Sequence, residues 1–410
     1  MKTRNKPIIL LIAEAVTLAH FGRIVTLAKA LDPAVYEVII ASDPRYLHLE
    51  APLDCAFRSI RSIPSAEFAA ALSQGKPLYS IETLTRYVED DLALLDSIKP
   101  DLVIGDFRLS LAVSVPLRGI PYAAVVNAYW SPYSDVSYPI PDLQMTRILG
   151  VRLAQKLFDI VRPMAFALHA KPMNQLRQHF GLPSLGRDLR STYTWADYTL
   201  YADIPEVVPT RNLPTHHRYL GPVLWSAEVP LPEWWNCFPK DKPLVFLTLG
   251  SSGEAELLPM ALSVLSHLAI TVIVATAGRI TLADAPPNAY ITDYLPVDMA
   301  IRCSQIVISN GGSLTTYQAL ASGVPIIGLC SNMDQLLSMN SVQRLGAGIM
   351  LRAASLSAAN LLDSVTAMLN NPAYAQAASK VSLILSKSDA GQRLREFVAE
   401  ILAKVTKVSK

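Results

Sequence analysis

The sequence predicts an α/β protein of two successive doubly wound domains, and three observations carry that expectation. Short apolar runs, continuous enough for strands buried on both faces, recur through both halves. Stretches with helical spacing fill the gaps between them, as strand–helix–strand units require. A proline-rich stretch separates one series from the other. With 410 residues, 51% hydrophobic and 17% charged, the chain can build two or three cores and is too apolar for long disorder.

The first run covers residues 8–15. A loop over 16–22 leads to a helix over 23–31, where Ile24, Leu27, Ala28 and Leu31 share a face, and 36–41 is the next strand. Such a unit closes as a right-handed crossover. Helices are expected over 81–98 and 109–117, strands over 101–106 and 122–127, and a largely helical stretch over 143–180 with a break near Pro163. The last expected strand of this half is 198–201. Residues 221–243, with five prolines and little periodicity, read as a linker. Alternation restarts with strands at 244–249, 271–275, 306–309 and 325–329, and with helices near 257–268, 314–322 and 335–345. Late helices are expected over 358–369 and 390–404. The domains are then 1–220, 244–385, and a terminal segment, 386–410.

Composition removes several functions. Lys and Arg total 36 against 34 Asp and Glu, a balance of 36 − 34 = +2, whereas a dedicated nucleic-acid binder needs a basic face. Cys55, Cys237, Cys303 and Cys330 are scattered and unpaired in sequence, which argues against a zinc site or disulfide framework and for a reducing cytoplasm. Lys2, Arg4 and Lys6 precede an apolar run, as in a signal peptide. Glu14 interrupts that run early, however, and no small-residue cleavage site follows. No apolar stretch reaches the roughly 18 residues of a membrane span. A soluble protein without stable membrane insertion is expected; oligomeric state is not legible.

The most informative segment runs from Ser309 through Asn310-Gly311-Gly312-Ser313-Leu314-Thr315-Thr316 to Tyr317-Gln318. It is a strand, a glycine pair and a helix start. Glycines let a ligand approach the backbone, and a helix N-terminus offers free N–H groups and a positive dipole, so the turn suits a diphosphate. Taken alone it is equally an ordinary capped turn. It is followed in order by Gly323-Val324-Pro325, Asp334-Gln335, Asn340 and Gly346-Ala347-Gly348. Together these residues resemble the nucleotide-sugar signature of glycosyltransferase family 1, the UDP-glycosyltransferase-like enzymes of GT-B fold, in which two Rossmann-like domains face a cleft.

The resemblance implies site residues. Asn310, Gly312 and Thr315 would hold the diphosphate, with Ser251 of Thr248-Leu249-Gly250-Ser251-Ser252 nearby. Gln318 would meet the ribose, Tyr294 the base, and Asp334 and Gln335 the sugar hydroxyls. Asn310 stands where the family has histidine and Gln318 where it has glutamate. In the first half, His20 matches the family's general base and Asp106 the carboxylate that orients it, although Asp43 and Asp135 also lie near loop ends. An imidazole beside a carboxylate suits removal of a proton from an attacking hydroxyl.

Asn127 and Trp130 belong to an aromatic-rich loop that either lines an acceptor pocket or packs beneath its own chain. No metal is expected: Asp-x-Asp is absent, and Asp90-Asp91 reads as a solvated helix face. Arg58, Arg61, Arg86 and Arg108 likewise read as solvated. The expected activity is inverting transfer of a hexose from a UDP- or dTDP-sugar to a small apolar or aromatic hydroxyl acceptor, with no cofactor beyond the co-substrate and no nucleic-acid partner. Alternatives are a 2-epimerase, a lipid-linked N-acetylglucosaminyltransferase, and a non-catalytic homologue that acts as a binding or activator partner.

Overall fold

The computed structural model describes residues 6–408 other than 240 and 283, so Lys2 and Arg4 of the basic start and the last two residues of the terminal segment lie outside it. Seven parallel strands form the first sheet: β1 (Ile8–Ala13), β2 (Glu37–Ser42), β3 (Ala56–Ser59), β4 (Leu102–Asp106), β5 (Tyr122–Val126), β6 (Tyr198–Tyr201) and β7 (His217–Tyr219). Their order is β3-β2-β1-β4-β5-β6-β7. The second sheet holds β8 (Leu244–Thr248), β9 (Thr271–Ala275), β10 (Ala289–Thr292), β11 (Ile306–Ser309), β12 (Ile326–Cys330) and β13 (Gly348–Arg352), ordered β10-β9-β8-β11-β12-β13.

Every residue of β1 and of β8 is buried, which explains why neither alternates polar with apolar. Burying one such Leu or Ile contributes about 1.5–3 kcal/mol. The edge strands β3, β7 and β10 escape sequence reading because they are short and half-exposed or exposed, with polar residues inside or at their ends; β13 holds the run Ile349–Leu351 but starts directly at the Gly346–Gly348 turn. β7 therefore follows the strand expected to be last.

Each sheet reverses its strand order once, between β1 and β4 and between β8 and β11, and ligands meet open α/β sheets at the strand ends beside such reversals. In the first sheet Ala13 pairs with Asp106 there; in the second Thr248 pairs with Ser309. The helix Ala390–Val408 packs Leu394, Phe397, Val398 and Ile401 against the first sheet's residues Ile9 and Leu11, although it follows the second sheet in sequence. Arg218 clamps Glu400 through two bonds of 2.6 and 2.8 Å.

Several expectations need correcting. The first helix is Leu18–Lys29, so His20 sits in its first turn rather than in a loop. Thr17 adopts extended backbone as N-cap without a side-chain bond, and the Leu18 N–H is taken by Ser251 Oγ of the second half at 3.1 Å. The long helix Gln144–His179 runs through Pro163 and breaks instead at Gly150, whose φ of 71° only glycine adopts readily. Residues 221–243 join β7 to β8, and Trp225, Trp235 and Phe238 within this stretch are buried.

Arg108 and Asp91, expected in solvent, are 1% and 0% exposed. Arg108 bonds Asp91 at 3.0 Å and Glu14 at 2.9 Å and stacks over the Tyr87 ring at 3.6 Å. A sequence count of charges cannot see that these four groups answer one another.

Candidate active site

His20 and Asp106 come together because β1 and β4 are neighbours in register. The imidazole Nδ1 lies 2.7 Å from Asp106 Oδ1. Asp106 is wholly buried, which by itself would raise its pKa, yet Arg23 and His20 beside it hold the carboxyl below its ordinary value. Arg23 reaches both carboxylate oxygens, at 2.7 and 2.8 Å, from one turn along the same helix. Its NH2 also stands 3.0 Å from His20 Nδ1, so cation and imidazole share one carboxylate. With Nδ1–H donated to Asp106, the other ring nitrogen keeps a free lone pair.

Phe107 completes the setting. Its φ of 58° is in the left-handed region, uncommon for a bulky residue, and its ring stacks on His20 with centroids 4.8 Å apart and planes within 5°. The imidazole is thus held on its carboxylate side and on one face.

The opposing turn is built by glycine. At Gly311, φ is 79° and a Cβ would come within 2.6 Å of Met339 Cγ. Asn310 folds back: its Oδ1 accepts the Gly312 N–H at 3.1 Å and its Nδ2 donates to Ser252 Oγ at 3.1 Å. The helix Ser313–Ala321 then starts with no side-chain cap at Gly312. Its first N–H groups and its positive dipole end are free to receive an anion.

Both constellations line one cavity of about 290 Å³. Its polar end includes His20, Arg23, Asp106, Asn127, Ser251, Asn310, Gly312, Thr315, Asp334 and Gln335. Its apolar arm is walled by Phe68, Phe107, Leu143, Phe158, Phe166 and Tyr193. Hydrogen bonds between the halves flank the cavity. Trp130 Nε1 donates to Asp334 Oδ1 at 2.8 Å, and Ser313 Oγ to Asn127 Oδ1 at 3.3 Å. Tyr317 donates to the buried Asp203 at 2.6 Å.

Asn127 is a junction. Its Oδ1 also accepts from Arg23 at 2.8 Å, and its Nδ2 donates to Asp203 at 3.2 Å. A hydrogen-bonded chain therefore runs from His20 through Asp106, Arg23 and Asn127 to the start of the donor-side helix. Burial pushes the Asp203 carboxyl up, against bonds from Tyr317, the Ala128 N–H and Asn127.

Two residues of the proposed site lie outside the cavity lining. Gln318 is 4% exposed and donates to the Trp225 carbonyl at 2.6 Å. Tyr294 bonds the Ala277 carbonyl at 2.9 Å and packs, with Leu314, against Leu49 and Trp225. Gln335 lines the cavity, but its side chain is engaged in a capping box with Asn332 and accepts the Ser331 N–H at 2.9 Å.

Sequence reasoning missed Arg23, Asp203 and Trp225. Arg23 was findable, since three residues after His20 is the same helix face. Asp203 and Trp225 leave no local signal: each is positioned by contacts more than 70 residues away in sequence.

Comparison with known proteins agrees with this fold. Residues 260–389 match the model of the family described as erythromycin biosynthesis protein CIII-like, C-terminal domain. Over 374 residues the chain is 50% identical to a PGL/p-HBAD biosynthesis rhamnosyltransferase of Mycobacterium bovis, covering 91% of this chain and 83% of that one. It is 48% identical to a PGL/p-HBAD biosynthesis glycosyltransferase of Mycobacterium tuberculosis over 383 residues, 93% and 90% of the two chains. Spinosyn rhamnosyltransferase SpnG, solved with thymidine diphosphate, superposes with a TM-score of 0.65 at 20% identity, covering 95% of this chain and 99% of that one. The chain belongs to the EryCIII-like glycosyltransferases of GT-B fold, together with the PGL/p-HBAD biosynthesis enzymes, and is itself a glycosyltransferase.

Proposed function

We propose that the protein transfers a hexose of the rhamnose type, with inversion, from a dTDP-sugar to a hydroxyl of an apolar or aromatic acceptor, with His20 as general base. The observation that carries this reading is the shared cavity: an imidazole bonded to a buried carboxylate faces the uncapped start of the Ser313–Ala321 helix. The acceptor oxygen attacks the anomeric carbon while its proton passes to His20 Nε2. The bond from that carbon to the diphosphate breaks, and the nucleoside diphosphate leaves with the electron pair. Its charge is met by the free N–H groups at Ser313–Thr315.

The relatives named rhamnosyltransferase support the sugar, and SpnG solved with thymidine diphosphate supports the base. Asp334 supplies a carboxylate for a sugar hydroxyl, shared with the Trp130 indole. Asn127 and Trp130 stand where the acceptor passes from the apolar arm to the base.

His20→Ala tests the reading. Transfer is expected to fall about 10²–10⁴-fold while thermal stabilisation by thymidine diphosphate persists. Unchanged turnover would exclude His20 as the base. An unmodified protein that binds nucleotide yet turns over no donor in a panel of dTDP- and UDP-sugars would favour the non-catalytic alternative.

A further inference from the structure

The outer face of the helix Gln144–His179 carries an apolar stripe that is left exposed among the described residues. Leu153, Leu157, Ile160, Met164 and Leu168 recur at intervals of three and four and so share one side of the helix. Ile160 is 76% exposed, Met164 68%, and Leu153 and Leu168 56% each. Ala154, Phe158, Phe166 and Ala170, on the opposite side, are buried, and Phe158 and Phe166 wall the cavity. Single exposed aliphatics are ordinary; five in register on one helix are not.

The charges around the stripe indicate what covers it. In sequence the helix carries Arg147, Arg152, Lys156, Arg162 and Lys171 against Asp159 as the one acid between residues 144 and 171, and Arg162 turns from the stripe to lie over the Tyr138 ring at 5.2 Å. Arg152, Lys156 and Lys171 are exposed. From Met164 and Leu168 onward the same face becomes a groove of about 730 Å³, its apolar floor extended by Leu182 and its rim carrying Lys171 and Arg187. The stripe has no Trp, Tyr or Arg anchor of the kind that dominates protein–protein contacts. An aliphatic face flanked by Lys and Arg is instead the pattern of a helix lying in a lipid interface and drawn to anionic headgroups.

We infer that this helix face docks the enzyme on an anionic phospholipid surface. The face lies on the bilayer without spanning it, and among the described residues no helix is long and apolar enough to cross a membrane. Docking sets the cavity's apolar arm, which shares this helix, next to the acyl region. Gly75 and Lys76, which also line the cavity, are exposed beside His169.

Vesicle co-sedimentation of the full chain tests this, with phosphatidylcholine alone or with about 30% phosphatidylglycerol. The protein is expected to bind the anionic vesicles at least about tenfold more tightly, and Ile160→Glu with Met164→Glu to abolish that difference. Lys156→Glu with Lys171→Glu is expected to weaken binding several-fold. Thermal stabilisation by thymidine diphosphate should stay unchanged in both variants, which separates this surface from the donor seat. The inference is overturned if the protein ignores anionic vesicles, if Ile160→Glu with Met164→Glu binds them as the parent does, or if light scattering shows a dimer that this variant dissolves.

Discussion

Two buried ionic clusters sit within a few residues of each other at the same edge of the first sheet. One gathers Glu14, Tyr87, Asp91 and Arg108; the other His20, Arg23, Asp106 and Asn127. Both place an arginine between acceptors, and both bury their carboxylates completely. They differ in access. Arg108 and its partners stand outside the lining of the cavity described above, whereas every member of the His20 group lines it. They differ also in charge balance: two carboxylates answer one arginine in the first cluster, one carboxylate answers an arginine and an imidazole in the second. Buried ion pairs thus mark a rigid sheet edge, and only an opening beside them makes a site.

Substitutions at matching places should separate the two roles. The largest effect is expected from Arg108→Met, which leaves two buried carboxylates without their cation; a loss of about 3–5 kcal/mol should appear in urea denaturation. His20→Ala should barely move the same midpoint while it removes activity. A comparable stability loss in both variants would erase the distinction drawn here.

Next comes Asp106→Asn. It removes the charge that stabilises an imidazolium formed during transfer, and kcat is expected to fall about 10–100-fold, less than for His20→Ala. KM for the donor should hardly change, since the donor seat lies on the other half; a change confined to KM would contradict the role given to Asp106.

Tyr317→Phe probes the seam between the halves. It leaves the Asp203 carboxylate one donor short, and about 1–3 kcal/mol of stability should go, with donor binding weakened in parallel. A variant with unaltered melting and unaltered nucleotide affinity would show that the seam is held elsewhere.

The smallest effect is a difference of slope with pH. The Asp106 carboxyl is held below its ordinary value of 3.8, so its contribution is full above 3.8 and disappears as pH falls through the depressed value. Glu14 is the reverse case: burial, only partly offset by Arg108, raises it above 4.5, so its contribution is full below 4.5 and fades as pH rises from there. Melting curves from pH 3 to 7 should therefore show the gap between parent and Asp106→Asn closing toward acid. The gap between parent and Glu14→Gln should shift in the parent's favour toward acid. Parallel slopes would refute the contrast in charge balance.

What was legible in the sequence follows the range of the interactions. The inner strands, the glycine turn at Asn310–Gly312 and the position of His20 just beyond the first strand could be found because each is written in consecutive residues: continuous apolarity, a glycine pair, a histidine soon after a buried run. Edge strands such as β3 and β7 lack such a run. Arg108 and Asp91 misled because a charged residue reads as solvated unless its partner is known, and their partners lie 17 and 94 residues away. The first helix was started late because part of its cap, Ser251, belongs to the other half of the molecule.

That borrowed cap has a consequence for timing. The amide at Leu18 finds its acceptor only across the gap, so drawing the halves apart hands it back to water and frays the first turn, where the imidazole rides. An open molecule is then not simply one whose reactants are too distant. On the proposal that His20 takes the acceptor's proton, it is one whose base is still unfinished, a safeguard against spending activated sugar on solvent before both reactants are enclosed.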